Sequence, residues 1–188
     1  MKQLDRALQK MRLRAVMPLI QAGARVLDIG CADGTLLPSV PLDRYVGVDP
    51  DAPRTSSQPN ARFIRDTFPT TQLDPAERFD VVVMTAVLEH VPLEAQPGVA
   101  RAVARHLAPD GLLVITVPAP IVDRIIELLK RASLLDGMRE DQHYGFDPRT
   151  TPSVFEPHGF HLERHTRFEL GLNHLFVLRR VGTQSPAS

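Results

Sequence analysis

Glycines and a carboxylate stand together in the stretch VLDIGCADG, residues 26–34, in a spacing that suits small-molecule binding. Asp28 lies in an apolar run, and Gly30 and Gly34 follow it. A ligand can lie against the backbone at a glycine, because no Cβ stands in the way. A carboxylate in an apolar run needs a partner, such as an ammonium or a sulfonium group. A tight turn, with Asp28 capping a neighbouring helix, explains these residues equally well.

A second stretch, YVGVDP, places Asp49 at its end, 19 residues after Gly30. In doubly wound α/β folds this spacing puts a carboxylate where it accepts hydrogen bonds from two ribose hydroxyls. An aspartate before a proline is also common in turns. The two stretches in register favour a ligand that contains a nucleoside. The run GCADGT lacks two glycines of the dinucleotide fingerprint, which disfavours a bound pyrophosphate.

The elements that position these residues follow from the apolar periodicity. An amphipathic helix is predicted over 2–16, and further helices over 33–40, 97–108, from 121 onward and over 149–157. Buried strands are predicted over 25–30, 45–49, 62–66, 79–85 and 112–118, with a PDG turn at 109–111. The last two strands, 161–170 and 174–180, are joined by a tight turn and should pair antiparallel.

This order predicts an α/β fold, with a doubly wound, seven-stranded, mostly parallel sheet and a C-terminal antiparallel strand pair. We expect one domain over 1–181, with an N-terminal helical cap at 1–21, a lid segment at 119–147 and a disordered tail at 182–188. Ligands of such sheets bind beyond the carboxyl ends of the strands. The site should therefore follow residues 30, 49, 66, 84 and 118.

Composition narrows the partners. The 188 residues hold 22 basic and 22 acidic side chains, and a net charge of zero argues against a nucleic-acid partner. The single cysteine excludes an intrachain disulfide, which fits a cytoplasmic location. No apolar run approaches the roughly 20 residues of a membrane span. The oligomeric state is not fixed by the sequence.

With FDVVVMTAVLEHV (79–91), these motifs resemble the pattern of class I S-adenosylmethionine-dependent methyltransferases. The pattern is similar in particular to the family that includes the ubiquinone-biosynthesis O-methyltransferases, and the resemblance covers residues 26–118. It implies a Rossmann-like fold, S-adenosyl-L-methionine as the methyl donor, and a small-molecule or a lipid- or glycan-linked acceptor. O-methylation is favoured over N-methylation on this resemblance.

The resemblance also implies which residues bind the donor. Asp28 would hold the amino group of the methionine moiety through water, and the backbone at Gly30, Cys31 and Ala32 would pack against that moiety. The other residues, each following a strand end, are Asp49 for the ribose, Pro50 against the adenine, Asp66 with Thr67 at the adenine amino group, and Thr85 toward the methionine end. This chain departs from the family at Ala32, where glycine is frequent, and in its short loop 50–60.

Histidine is the usual general base near neutral pH, when an acceptor hydroxyl must lose a proton. His90 follows the fourth strand, and His143 lies beside Tyr144 in the predicted lid. We predict His143 and His90 as the base or acceptor-binding residues, and Tyr144 as a substrate contact. A hydrogen-bonded histidine under a loop explains either one as well. No metal site is expected, since His161 and His165 would lie about 13 Å apart on a strand.

Two other functions stay open at this point. The chain could be a degenerate methyltransferase fold that binds the donor, or nothing, and acts as a non-catalytic partner subunit, because a fold does not guarantee a function. A nicotinamide-dependent oxidoreductase is disfavoured by the missing glycines but shares the doubly wound sheet.

Overall fold

The computed structural model describes residues 2–36, 41–119 and 146–181, with side chains from residue 9 onward in the first helix. The predicted amphipathic helix is confirmed as α1 (Lys2–Val16). The sheet strands are β1 (Arg25–Ile29), β2 (Arg44–Val48), β3 (Ala61–Ile64), β4 (Phe79–Thr85), β5 (Leu107–Pro118), β6 (Phe160–Phe168) and β7 (Asn173–Arg180). Two more helices are α2 (Gln96–His106) and α3 (Thr151–Phe155), and short 3-10 turns lie at 17–19, 88–90, 148–150, 156–158 and 169–171.

The seven strands form one sheet in the order β3-β2-β1-β4-β5-β7-β6. Strands β1 to β5 run parallel, whereas β7 is antiparallel to both β5 and β6. The predicted α/β class, with a mostly parallel sheet and a C-terminal antiparallel pair, is therefore confirmed. From β1 the chain first continues to one side of the sheet, through β2 and β3, and then to the other side, through β4 and β5. The carboxyl ends of β1, β2 and β4 are therefore the edge where a ligand is expected.

Apolar side chains alternate along the central strands and build one cluster on each face of the sheet. Leu27 and Ile29 of β1 point to the face covered by α2 and α3. Val26 points to the opposite face, where α1 packs through Leu13 and Val16. The buried strands therefore read as continuous apolar runs, since both faces are covered. Within the described residues, no helix is both long and apolar enough to cross a bilayer.

The helix predicted at 33–40 is wrong over its described part, because residues 32–36 form turns. Ala32 has φ +46° and Gly34 has φ +75°, and a right-handed helix cannot pass through such residues. Residues 37–40 lie outside the described residues. Residues 33–36 therefore belong to a tight turn that follows β1 at the ligand edge of the sheet.

The turn predicted at PDG is absorbed into β5, which begins at Leu107 and not at residue 112. Phe79 pairs with Leu107 and Val81 with Leu112, so the extra residues form an irregularity where Asp110 has φ +59°. The alternation predicted over 161–170 does not mark a buried face, because residues 161–167 of the edge strand β6 are all exposed. The helix after 121, most of the lid segment and the tail lie outside the described residues.

Candidate functional site

A cavity of about 560 Å³ opens at the carboxyl ends of β1, β2 and β4. This volume lies within the range of small-molecule sites. Its wall includes these residues that the sequence singled out: Gly30, Ala32, Asp49, Pro50, Asp66, Thr67, Thr85 and His90. Apolar residues make up much of the rest: Ile29, Val48, Phe68, Met84, Val87, Val91 and Val99.

Gly30 directly follows β1, at the point where the chain must pass close to the loop after β4. Its φ is +75°, and a Cβ added there would lie 2.2 Å from Cγ2 of Val87. Glycine is therefore required twice, by the backbone conformation and by the space. Its backbone borders the cavity, so a bound molecule meets peptide atoms at this position and no side chain.

Ala32 occupies the left-handed region with φ +46°, which normally favours glycine. Such a conformation costs an alanine on the order of 1–2 kcal/mol. Its backbone N–H donates to Oδ2 of Asp49 at 3.1 Å, so the strained turn aims a donor at the carboxylate. Ala32 therefore adopts a left-handed conformation that usually favours glycine.

Asp49 follows β2 and is oriented by the backbone on both sides. Oδ2 accepts from Ala32, and Oδ1 accepts from the N–H of Asp51 at 2.7 Å. Two backbone donors hold the carboxylate rigidly and leave further lone pairs for a ligand, because an ionised carboxylate has about four acceptor sites.

Asp66 follows β3 and is held by three donors. Its carboxylate accepts from the hydroxyl of Thr70 at 2.5 Å, the N–H of Thr67 at 2.8 Å and the amide of Gln72 at 3.2 Å. These bonds, that of Thr70 above all, hold the pKa of Asp66 below its ordinary value. Asp66 therefore stays ionised near neutral pH with about one acceptor site left for a ligand.

Gln9 and Arg12 of α1 also line the cavity, and sequence reasoning did not identify them. The Nε of Arg12 donates to the side-chain oxygen of Asn173 at 3.3 Å, which ties α1 to the start of β7. The helical spacing alone could not reveal this, because polar residues of a predicted amphipathic helix are expected to face solvent. Arg12 brings a permanent positive charge to the cavity wall.

Asp28 and Cys31 do not line the cavity. Asp28 is 3% exposed, and its side chain points to the α1 face of the sheet, where Oδ2 accepts from the hydroxyl of Tyr45 at 2.7 Å. Burial raises the pKa of Asp28 to about 7, and the bond from Tyr45 opposes this. Cys31 is buried on the same face. Tyr45 is a third residue that sequence reasoning missed, since an aromatic residue in a strand is normally interpreted as core.

His90 ends the 3-10 turn after β4 and lines the cavity with an exposed side chain. His143 and Tyr144 lie outside the described residues. On the far strands, His165 and His174 stack on Phe176, with Nε2 of His165 2.8 Å from Nδ1 of His174. Within the described ranges, no group of three or more His, Cys, Asp or Glu is arranged to hold a metal ion.

Comparison with known proteins agrees with this geometry. A family model for a methyltransferase domain matches residues 1–165. The ubiquinone biosynthesis O-methyltransferase of Bradyrhizobium diazoefficiens is 37% identical over 105 residues, covering 50% of this chain and 40% of the relative. The chain spans less than half the length of the curated relatives that it matches.

Solved structures share the fold at low identity. An S-adenosylmethionine-dependent methyltransferase from Mesorhizobium loti superposes with a TM-score of 0.66 at 19% identity, over 89% of this chain and 96% of the other. Magnesium protoporphyrin IX methyltransferase from Synechocystis, with bound S-adenosylhomocysteine, gives 0.60 at 18% identity, over 93% and 82% of the two chains. With its matched domain, its seven-stranded sheet and this carboxyl-edge cavity, the chain belongs to the methyltransferase domain family and has the fold of S-adenosylmethionine-dependent methyltransferases.

Proposed function

We propose that this chain binds S-adenosylmethionine in the cavity at the carboxyl edge and transfers its methyl group to an oxygen of a small-molecule acceptor. The observation that carries the proposal is the Asp49 carboxylate, fixed by two backbone N–H groups at a cavity wall where Gly30 leaves the backbone open. The preference for oxygen comes from relatives, 31–37% identical, that are named O-methyltransferases.

The adenosine half of the donor fits the two anchored carboxylates. We assign the ribose hydroxyls to Asp49, which has acceptor sites left, and the adenine amino group to Asp66, with Thr67 beside it. Pro50 would lie against the adenine ring. Each group offers what the ligand needs, since hydroxyls and an amino group donate and carboxylates accept. The buried Phe68 adds an apolar wall on this side.

The amino-acid half of the donor fits the region between β1 and α1. Gly30 and Ala32 would pack against it, the backbone at Thr85 would face it, and Cys31 would support the turn from below. Its carboxylate would pair with the Arg12 guanidinium, because charge-assisted bonds of this kind are the strong ones. Asp28 would hold the ammonium group through water from the level beneath the cavity.

When bound, the donor supplies a methyl group on a positively charged sulfur. A nucleophilic oxygen of the acceptor bonds to this methyl group in line, and the sulfur is the leaving group. The chain contributes position, since holding two reactants at attack distance supplies much of the rate. The apolar walls from Met84, Val87 and Val91 exclude water around the acceptor. His90, which lines the cavity, would take the acceptor proton at a ring nitrogen. His143 and Tyr144 stay predictions for the same end of the site.

We place the acceptor among small molecules, including lipid- or glycan-linked ones, and not among nucleic acids, because the net charge is zero. A cytoplasmic location remains part of the proposal. A partner role without catalysis is the alternative that the assay below must exclude.

A transfer assay with S-adenosylmethionine labelled in the methyl group tests the proposal. The acceptors are a catechol series and a primary amine series, and mass spectrometry locates the added methyl group. We expect methyl ethers, and a loss of about 10²–10⁴ in rate for His90→Ala if the imidazole acts as the base. Transfer to amines alone would overturn the O-methylation. Binding of S-adenosylhomocysteine with no transfer to any acceptor would favour the non-catalytic role.

A further inference from the structure

Tyr45 of β2 is fully buried, and its hydroxyl donates to the Asp28 carboxylate at 2.7 Å. A buried carboxylate is costly unless it is hydrogen-bonded, so this bond offsets part of the cost of burying Asp28. We infer that Tyr45 is a positioning residue for methyl-donor binding: it holds the Asp28 carboxylate in place beneath the cavity for a water-mediated contact with the donor's ammonium group, and it sets the pH range in which the donor binds. The inference rests on the proposed function, because it assumes that the ammonium group meets Asp28.

The surrounding residues fix the hydroxyl of Tyr45 in place. The Tyr45 ring meets the ring of Phe63 edge-on, with centroids 5.7 Å apart and planes at 68°. Gly47 lies opposite Asp28 in the β1–β2 register. A Cβ at Gly47 would lie 2.7 Å from Sγ of Cys31 and 2.9 Å from Phe63, so the space is already filled. With its ring held this way, the hydroxyl keeps one position beside Asp28.

The charged and titratable groups around Asp28 are few. Burial is the main cause that raises the pKa of Asp28, and the like charge of Asp49, at the end of β2, raises it further. Burial and the nearby carboxylates raise the pKa values of Tyr45 and Cys31, so both stay neutral. From β4, Val83 lies opposite Asp28, and from α1, Leu13 and Val16 add apolar contacts to this face. Among the described residues, Tyr45 is therefore the hydrogen-bond donor to Asp28.

This arrangement links donor binding to a proton. The pKa of Asp28 is raised to about 7, so below that pH the carboxyl group is protonated and must release its proton to receive an ammonium group. The affinity should then fall about tenfold for each pH unit below the pKa. Removing the Tyr45 hydroxyl removes a bond that favours the ionised form, so the pH midpoint should move upward.

Calorimetric titration from pH 5.5 to 8.5 tests the inference with two probes. S-adenosylhomocysteine carries the amino-acid half, whereas 5′-methylthioadenosine has the same adenosine and thioether without it. We expect wild type to bind S-adenosylhomocysteine at least fivefold more weakly at pH 6 than at pH 8, and Tyr45→Phe to shift this fall to higher pH. Asp28→Asn should flatten the profile. Binding of 5′-methylthioadenosine should not follow this pattern in any variant.

Thr151→Val is the matched control, since it also removes a fully buried hydroxyl, but from α3 and away from the cavity. It should keep the wild-type profile. Should Tyr45→Phe fail to fold, titrations of wild type at pH 6.5 in buffers of different ionisation enthalpy must still show proton release with S-adenosylhomocysteine and none with 5′-methylthioadenosine. No such release, or an unchanged midpoint in Tyr45→Phe, overturns the inference alone. Failure of wild type to bind either probe overturns the proposed function as well.

Discussion

At the scale of single residues, the site consists of carboxylates whose direction is set by neighbouring backbone. Asp49 and Asp66 could be predicted because both follow strands of the parallel sheet, and carboxylates accept the hydrogen bonds that an adenosine donates. Their orientation could not, since it comes from the N–H groups of Ala32, Asp51 and Thr67. The orientation of Asp28 could not be predicted either. Successive side chains of a strand point to opposite faces, and that of Asp28 points away from the cavity wall.

Replacing Asp49 with alanine should weaken the binding of S-adenosylhomocysteine by about 1–3 kcal/mol, which is roughly 5–150-fold. The reason is the loss of two ribose hydrogen bonds to an oriented carboxylate. Calorimetric titration measures the change. Asp51→Ala is the control, because it keeps the backbone N–H that Asp49 uses and should bind almost as wild type. Equal affinity in Asp49→Ala and wild type would refute the ribose assignment.

At the scale of elements, α1 was predicted with its bounds but not with its role. Its apolar residues Leu13 and Val16 bury against the sheet, and this packing turns Gln9 and Arg12 toward the cavity. The rotation of a helix against a sheet depends on tertiary packing, which helical periodicity does not encode. The helix predicted after Gly34 was wrong for a local reason, since positive φ angles at Ala32 and Gly34 impose turns.

Arg12→Ala should lower the affinity for S-adenosylhomocysteine about 5–30-fold, because a charge-assisted bond to the carboxylate is lost. Binding of 5′-methylthioadenosine, which lacks that carboxylate, should stay within about twofold of wild type in the same titration. Arg14→Ala changes a neighbouring exposed arginine of α1 and should leave both ligands unaffected. A similar loss in both arginine variants, or for both ligands, would contradict the assignment.

At the scale of the whole molecule, the strand order places the cavity. Strand β1 lies between β2 and β4, so the carboxyl ends of these strands, at Ile29, Val48 and Thr85, meet at one edge of the sheet. The parallel sheet and the antiparallel pair could be predicted, because continuous apolar runs and a short hairpin connection are local patterns. The walls of the cavity could not be predicted, since they combine residues that are distant in sequence, such as Arg12 and Val99.

The buried Asp28 should make the stability of the unliganded domain depend on pH. Its folded pKa of about 7 lies above its ordinary value of 3.8, so the protonated form is favoured in the folded state. The stabilisation is complete below about pH 4 and is lost as the pH rises toward 7, at up to about 1.4 kcal/mol per pH unit. Asp28→Asn cannot titrate, so its free energy of unfolding should rise relative to wild type between pH 5 and pH 8.

Urea denaturation at both pH values measures this difference. Asp80→Asn is the control, because the hydrogen bond from Arg25 lowers the pKa of Asp80 and places its titration in the acid range. Its difference from wild type should therefore stay constant between pH 5 and pH 8. A constant difference for Asp28→Asn as well would show that Asp28 is ionised throughout this range.

A crystal structure of the protein with S-adenosylhomocysteine tests the central claim most directly, namely that the carboxyl-edge cavity holds the methyl donor. We predict the ribose hydroxyls on Asp49, the adenine amino group at Asp66 and the amino-acid half between Gly30 and Arg12. A ligand bound elsewhere, or one seated in the cavity with its ribose away from Asp49, would contradict the account.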